Sequence, residues 1–413
     1  MIENQTQPKS AIAQILSIPV IVAALGYMVD MYDLFLFSIV RVPSLVSLGL
    51  VGDQLLDDGI MLLNVQMAGI LIGGVFWGIM GDKKGRLSVL FGSIIIYSLA
   101  NIGNGMVTSI EQYAVLRFIA GVGLAGELGA GITLVTEILP KEIRGYGTTL
   151  VATMGVFGAI LAFVIADTFD WRMSYYIGGG LGLVLLVLRV RVFESGMYTK
   201  AKAENVVRGS MMMLFNNRAR VFKYFQSILI GLPIWFVVGV LITFSPEFGI
   251  ALGLSEPVVA GKAVLFAFSG QVLGNILSGY LSQHFQSRRK IIFTFILMMS
   301  SLILVYLLVP LGSTAVFYIL CGGLGFCSGY WTLFITVAAE LFGTNLRATV
   351  ATTVPNFVRG AIIPIIALFT FFRGMVGLLY GALIVGLITV IVALLALKYL
   401  EETYSKDLDY SEE

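Results

Sequence analysis

Glu137 Ile138 Leu139 Pro140 Lys141 Glu142 Ile143 Arg144 closes one long apolar run of the chain, and Glu340 Leu341 Phe342 Gly343 Thr344 Asn345 Leu346 Arg347 closes another, with Glu and Arg at the same spacing. A shift two residues shorter carries Gly73 and Gly78 onto Gly274 and Gly279. Two independent matches at nearly one offset point to an internal repeat in which the second half of the chain copies the scaffold of the first.

Working outward, apolar stretches recur from end to end. Of the 413 residues 58% are hydrophobic and 12% charged, against roughly 25% charged in soluble domains, and the mean hydropathy is +0.94. Stretches of about 20 apolar residues suffice to cross a hydrocarbon core of roughly 30 Å. Apolar runs and their charged breaks predict spans near 16–40, 59–80, 87–109, 112–139, 146–168 and 173–192, then near 224–245, 261–283, 290–310, 314–342, 348–371 and 376–399. The expectation is an all-α membrane protein of twelve transmembrane helices in two pseudo-symmetric six-helix bundles, 1–192 and 224–413, joined by a cytoplasmic linker over 193–223. Parallel repeats of this kind place a substrate site at midplane between rocking halves.

With the N-terminus inside, the inner loops collect Lys83, Lys84, Arg86, Lys141, Arg144, the cluster from Arg189 to Lys223, Arg288, Arg289, Lys290 and Arg347. The outer loops hold Arg41, Arg172, Lys262 and Arg373. Lys and Arg in short loops stay cytoplasmic, which predicts a multi-pass inner-membrane protein with both termini inside. Met1 to Ser10 is polar and runs into a full-length span without the charged, apolar and small-residue order of a cleaved signal, so the first helix is expected to be retained. The basic linker, with Lys200, Lys202, Arg208, Arg218 and Arg220, suits anionic lipid better than nucleic acid. Cys321 and Cys327 share one apolar segment and His284 sits among polar residues, so a metal centre and a disulfide framework are both excluded. Any proton relay must use carboxylates.

The loop after the second span reads Gly78 Ile79 Met80 Gly81 Asp82 Lys83 Lys84 Gly85 Arg86. Gly78 is expected to permit close helix contact, Gly85 a tight turn, and Asp82 a hydrogen bond to helix N-terminal amides or an Arg across the bundle. This stretch resembles the signature between helices two and three of the major facilitator superfamily, which implies a gating clasp made by Gly78, Asp82, Gly85 and Arg86. In the second half Gln283 stands where Asp82 does, so the clasp is expected to be one-sided.

The fourth span, Arg117 Phe118 Ile119 Ala120 Gly121 Val122 Gly123 Leu124 Ala125 Gly126 Glu127 Leu128 Gly129, contains a literal GxGxxG. A dinucleotide fingerprint needs a preceding strand, and these glycines lie in mid-membrane, where small residues serve helix packing. The stretch is similar to the fourth helix of the metabolite:proton symporter branch, with Arg117, Glu127, Glu137, Arg144 and Gly145 matching residue by residue. Glu137, Arg144, Glu340 and Arg347 join the expected gating set.

In the first span, Gly26 Tyr27 Met28 Val29 Asp30 Met31 Tyr32 Asp33 Leu34 Phe35 resembles the paired-aspartate helix of phosphate:proton and aromatic-acid:proton symporters. Asp30 and Asp33, three apart, face one side, and like charges that close favour a bound proton. At about 1.5 Å rise per residue, Arg117 and Asp33 reach similar levels, as do Arg359 and Asp30. Arg359 lies halfway along the eleventh span with Asn356 one turn earlier, and a fixed guanidinium suits a carboxylate or phosphate. Gly231, Pro233 and Trp235 would bend the seventh span and present an aromatic wall. Tyr32 beside the aspartates and Tyr330, opposite Glu127 in the repeat, complete the expected lining.

These residues predict a transporter without enzymatic activity or cofactor. It is expected to be monomeric, driven by the proton gradient, and to import a small anionic or zwitterionic metabolite by symport. Asp30, Asp33 and Glu127 would couple the proton. Arg117, Arg359, Asn356, Tyr32, Trp235 and Tyr330 would hold the substrate. The rival readings are a facilitator or antiporter of the same fold and, more remotely, a membrane receptor.

Overall fold

The computed structural model describes residues 11–84, 86–140, 143–194 and 211–404. Gly85, and the side chains of Asp82, Arg86, Glu137, Arg144 and Arg347, lie outside the described residues, so the expected clasp is described here only at Gly78 and Glu340.

Twelve helical rods follow one another. The first six are α1 (Ile18–Ser47), α2 (Gln54–Lys84), α3 (Arg86–Asn104), α4 (Ile110–Leu124 continued by Glu127–Ile138), α5 (Arg144–Thr168) and α6 (Trp171–Glu194). The others are α7 (Arg218–Ile230, Leu232–Phe236 and a π-turn Val237–Ile242), α8 (Ala260–His284), α9 (Arg288–Leu308), α10 (Thr314–Cys327 and Trp331–Glu340), α11 (Thr344–Gly360 and Ile362–Val376) and α12 (Leu378–Lys398). Among the described residues ten are long and apolar enough to cross a membrane; α3 carries a shorter apolar stretch, Ser88–Asn104, and α4 is jointed at Ala125 and Gly126. No strand occurs among the described residues.

Side-chain caps start several rods: Ser109, Ser287 and Ser313 accept from the amides of Gln112, Lys290 and Val316. Gly377, at φ 84°, makes the tight turn from α11 to α12 that other residues rarely adopt. Large apolar side chains such as Ile72, Leu99, Val184, Leu273, Ile319 and Phe371 face outward, as the surface of a bundle solvated by lipid tails requires.

The repeat reappears as packing. In the first half Gly69 and Gly73 of α2 lie against the backbone of Phe118 and Val122 in α4, while Gly121 abuts the Gln66 carbonyl. In the second half Gly270 and Gly274 of α8 lie against the Gly322 and Phe326 carbonyls of α10. A side chain at any of these positions would strike backbone, so the small residues set how closely the rods approach. Gly78 differs from expectation: a Cβ there would meet nothing within 4 Å, and the same holds for its repeat partner Gly279. That match lies inside the two helices but outside their packed seams.

α1 is longer than its apolar core suggests. Arg41, expected in an outer loop, lies inside the helix and is fully buried, because Glu247 beyond α7 pairs with it at 2.7 Å. The rods traverse in alternation, so the start of α1 and the end of α12 share one end of the bundle, here the terminal face. The opposite end is the distal face. α8 packs on α5 and α1, and α11 on α2 and the second piece of α4, which joins the halves.

At the terminal face the chain after α12 folds back on α9. Glu402 accepts from Ser287 Oγ and from the amides of Arg288, Arg289, Thr403 and Tyr404. Partial burial alone would raise its pKa, but these hydrogen bonds outweigh burial and hold it below the ordinary carboxylate value. A depressed folded-state pKa means that the docking is fully present above the unfolded value, about 4.3, and is lost as pH falls through the folded one. Hydrogen exchange of residues 399–404 should therefore stay slow at neutral pH and accelerate only below about pH 4. In the glycine seam, Gly73→Ala should lower stability in detergent by about 1–3 kcal/mol. Gly78→Ala should be neutral or stabilising by up to about 1 kcal/mol; thermal unfolding of the two variants compares them.

Candidate functional site

The deepest charges of the two halves meet at one point. Asp30 of α1 and Arg359 of α11, the residues expected at matching levels, pair at 3.3 Å between Oδ2 and Nη2, and both are buried. Arg359 occupies the last turn before the joint at Ala361, and its Nη2 also donates to Met31 Sδ at 3.6 Å. The pair leaves chemistry unused: Arg359 Nε and Nη1 and Asp30 Oδ1 have no partner among the described residues. A buried guanidinium with free donors is costly unless something completes it. Tyr27, one turn before Asp30 toward the terminal face, lies within electrostatic reach of both.

Asn356, one turn before Arg359, donates from Nδ2 to the Ala125 carbonyl at 3.0 Å. It thereby ties α11 to the joint of α4, where a helical carbonyl is left over, and its own Oδ1 remains free. Trp235 lies on the short piece of α7 between the break at Gly231 and the π-turn. This piece is pressed to α11 through Gly231 on Val358, and Gly239 of the π-turn rests on Ile362. The Trp235 indole N–H is buried without an acceptor among the described residues. The expected bend at Gly231 and Pro233 is therefore present as a true interruption of the rod.

Asp33 is also fully buried, and neither of its oxygens has a hydrogen-bond partner among the described residues. Arg117 lies within electrostatic reach of it but forms no ion pair with it. Its Nη1 donates to Gln66 Oε1 at 3.4 Å and its Nη2 to Asn101 Oδ1 at 3.2 Å, while the guanidinium lies 5.1 Å from the Tyr175 ring centre. Of the two level matches read from the sequence, one is thus a salt bridge and the other a polar cluster.

Glu127, at the first position after the α4 joint, is held by Arg189 of α6 through two short contacts, 2.8 Å at Oε1 and 2.7 Å at Oε2. Ser93 Oγ adds a third at 3.1 Å. Gly26 makes room for this pair, since a Cβ there would run into Arg189 Nη2. Arg189, counted above among the cytoplasmic cations, is instead a buried residue 5% exposed, and the correction follows from α6 continuing to Glu194.

Tyr32 and Tyr330 do not join the site. The Tyr32 hydroxyl donates to the Ser174 carbonyl at 2.8 Å within the first half, and that of Tyr330 to the Ile230 carbonyl at 2.9 Å, closing the end of the first piece of α7. Both hydroxyls are committed to structural joints. Glu340 of the expected gating set makes a two-bond pair with Arg288 at the terminal face, each bond 2.9 Å.

Two further pairs bind the halves at the distal face. Besides Glu247, Arg41 holds the Leu55 carbonyl at 2.8 Å, and Ser38 Oγ and Thr243 Oγ1 lie 3.0 Å apart. Arg373 at the end of α11 meets Asp57 at the start of α2 at 2.7 Å. Sequence reading missed Arg189, Gln66, Asn101 and Asn104. A lone amide inside an apolar run was the available signal for the last three.

The comparisons with known proteins agree with this geometry. The model of the Major Facilitator Superfamily matches residues 23–367. A protein called "Probable 4-methylmuconolactone transporter" in Cupriavidus pinatubonensis is 27% identical over 343 residues, 78% of this chain and 76% of its own length. The "Benzoate transport protein" of Acinetobacter baylyi is 25% identical over 80% of this chain and 78% of its own. Among solved structures, the inward-open xylose transporter XylE from E. coli superposes with a TM-score of 0.70 at 17% identity, covering 94% of this chain and 97% of that one. The twelve-rod fold, the paired halves and the family model together place this chain in the Major Facilitator Superfamily, as a membrane transporter and not an enzyme.

Proposed function

We propose that this chain is a proton-coupled symporter that carries a small organic anion into the cell by alternating access, in the inner membrane, with the terminal face cytoplasmic. The observation that carries the reading is the Asp30–Arg359 pair, buried between the halves with free donors on Arg359 and a free oxygen on Asp30. An incoming carboxylate needs that guanidinium, and two carboxylates on one buried Arg leave an uncompensated negative charge. A proton on Asp30 removes that excess, so proton binding and anion binding favour each other. Asp33 and Glu127 are further proton acceptors of the same half.

The chemistry selects a small solute with a carboxylate for Arg359 and an unsaturated or polar body for the indole of Trp235. The benzoate relative and further relatives named for niacin, gentisate and sialic acid carry solutes of that class. The distal pairs Arg41–Glu247 and Asp57–Arg373 are ones that outward opening must break.

Proteoliposomes offered labelled benzoate, nicotinate, gentisate and sialic acid test the reading. At least one should accumulate when the outside is acidic, and its uptake should remove protons from the outside medium. Asp30→Asn or Asp33→Asn should abolish uphill accumulation, and Arg359→Lys should lower uptake at least tenfold, equivalent to about 1.4 kcal/mol. Uptake of every acid without proton movement, or coupled uptake by both Asn variants, overturns the proposal. For the distal face, Glu247→Gln combined with Asp57→Asn should raise maleimide labelling of a Ser245→Cys probe several-fold over the probe alone.

A further inference from the structure

One face of α3 is polar where a membrane helix has every reason to be apolar. Ser93, Tyr97, Asn101 and Asn104 follow one another at intervals of four, four and three residues, and so share a narrow arc of the helix. All four are fully buried, enclosed by α2, α4 and α6. The arc reaches from the distal end of α3 to its inner third.

At the distal end Asn104 Nδ2 donates to Asn101 Oδ1 at 3.3 Å, the oxygen that also takes Arg117. Asp33 adjoins this cluster through Arg117. At the other end Ser93 reaches Glu127, which Arg189 holds. Between them stands Tyr97, whose hydroxyl has no partner among the described residues and lies within electrostatic reach of Glu127, Arg189, Asp33 and Asp30. Along the same line Asn104 Oδ1, Asn101 Nδ2, Gln66 Nε2, Arg117 Nε, Ser98 Oγ and both Asp33 oxygens are likewise unpartnered. A buried polar atom left alone costs about 1–3 kcal/mol, and these donors and acceptors are the partners that a buried water needs.

We propose that this arc is a proton path through the interior of the first half, entering at Asn104, passing Asp33 and Tyr97, and ending at the Glu127–Arg189 pair. It borders the anion site through Asp30, which pairs with Arg359 and lies within electrostatic reach of Tyr97 and Glu127. It rests on the proton-coupled reading above and assigns residues to it. A proton from the distal side reaches Asp33 by way of water held on the two asparagines. Its transfer onward adds a proton to the Tyr97 oxygen through bridging water while the tyrosine releases its own hydroxyl proton toward Glu127, so one proton enters and one leaves. Neutral Glu127 then loses its charge-assisted hold on Arg189 and yields the proton to the terminal side, after which the pair re-forms. The charged groups facing the path are Asp33, Asp30, Glu127, Arg117 and Arg189, with the hydroxyls of Tyr113 and Tyr175 near its distal end. Because the path runs inside one half, a proton can reach Glu127 without passing between Asp30 and Arg359.

The test uses full-length protein in vesicles with an internal pH dye and a potassium potential, and reads protons moved per molecule of whichever panel acid the wild type accumulates. Tyr97→Phe keeps the ring and removes only the transferable proton, and Asn101→Leu removes the water site. Each should lower the proton-to-substrate ratio at least tenfold, and Tyr97→His should restore part of it. A ratio is insensitive to the fraction of protein folded. If wild type couples and both variants keep its ratio, the arc is interhelical packing and the path is overturned while the symport reading stands. If wild type moves the acids without protons, both fall.

Discussion

Everything in this molecule turns on keeping a guanidinium in a medium that cannot solvate it. Arg359 sits where the hydrocarbon of the membrane and the core of the bundle exclude bulk water, and its one close carboxylate belongs to the other half of the chain. Such a charge is strongly destabilising unless paired and hydrogen-bonded. The pairing is incomplete, and the incompleteness has direction: among the described residues the free donors belong to Arg359 and the free oxygen to Asp30, which the proposed anion and proton would complete. Two-bond ion pairs elsewhere in the chain look different. Glu127 with Arg189 and Glu340 with Arg288 use both carboxylate oxygens and two guanidinium nitrogens.

The halves share a scaffold and divide the chemistry. Glycines of α2 and α8 press on the backbones of α4 and α10 in corresponding fashion, fixing similar frames. Upon those frames the first half carries Asp30, Asp33, Glu127 and the polar arc of α3, whereas the second carries Arg359, Asn356 and the interrupted α7 with Trp235. The symport proposed above requires the two sets to share at least one contact, and the ion pair across the interface supplies one.

Much of this was legible in the sequence. Helix number and repeat could be read because a membrane span advertises itself by length and a repeat by offset, and the Asp30–Arg359 level match needed only the rise of a helix. Side-chain direction was not legible. Tyr32 neighbours Asp33 in sequence yet reaches Ser174 on α6, and Tyr330 stands opposite Glu127 in the repeat yet closes a helix end. Arg41 and Arg189 were mistaken for loop cations because a charge at the edge of an apolar run marks either a boundary or a buried partner. Only the position of Glu247 or Glu127 in space decides which. Gly78 matched its repeat partner although neither packs against a neighbouring rod.

The joint in α4 has a consequence of its own. Its exposed carbonyl, on Ala125, is satisfied by an amide 231 residues further along the chain and in the opposite half. In the alternating-access cycle proposed above that donor leaves when the halves rock apart, and the oxygen must be met by water instead. The hinge of α4 would then be dry in one phase of that cycle and wet in the other, which would make hydration of a single backbone atom a clock for the position of the whole molecule.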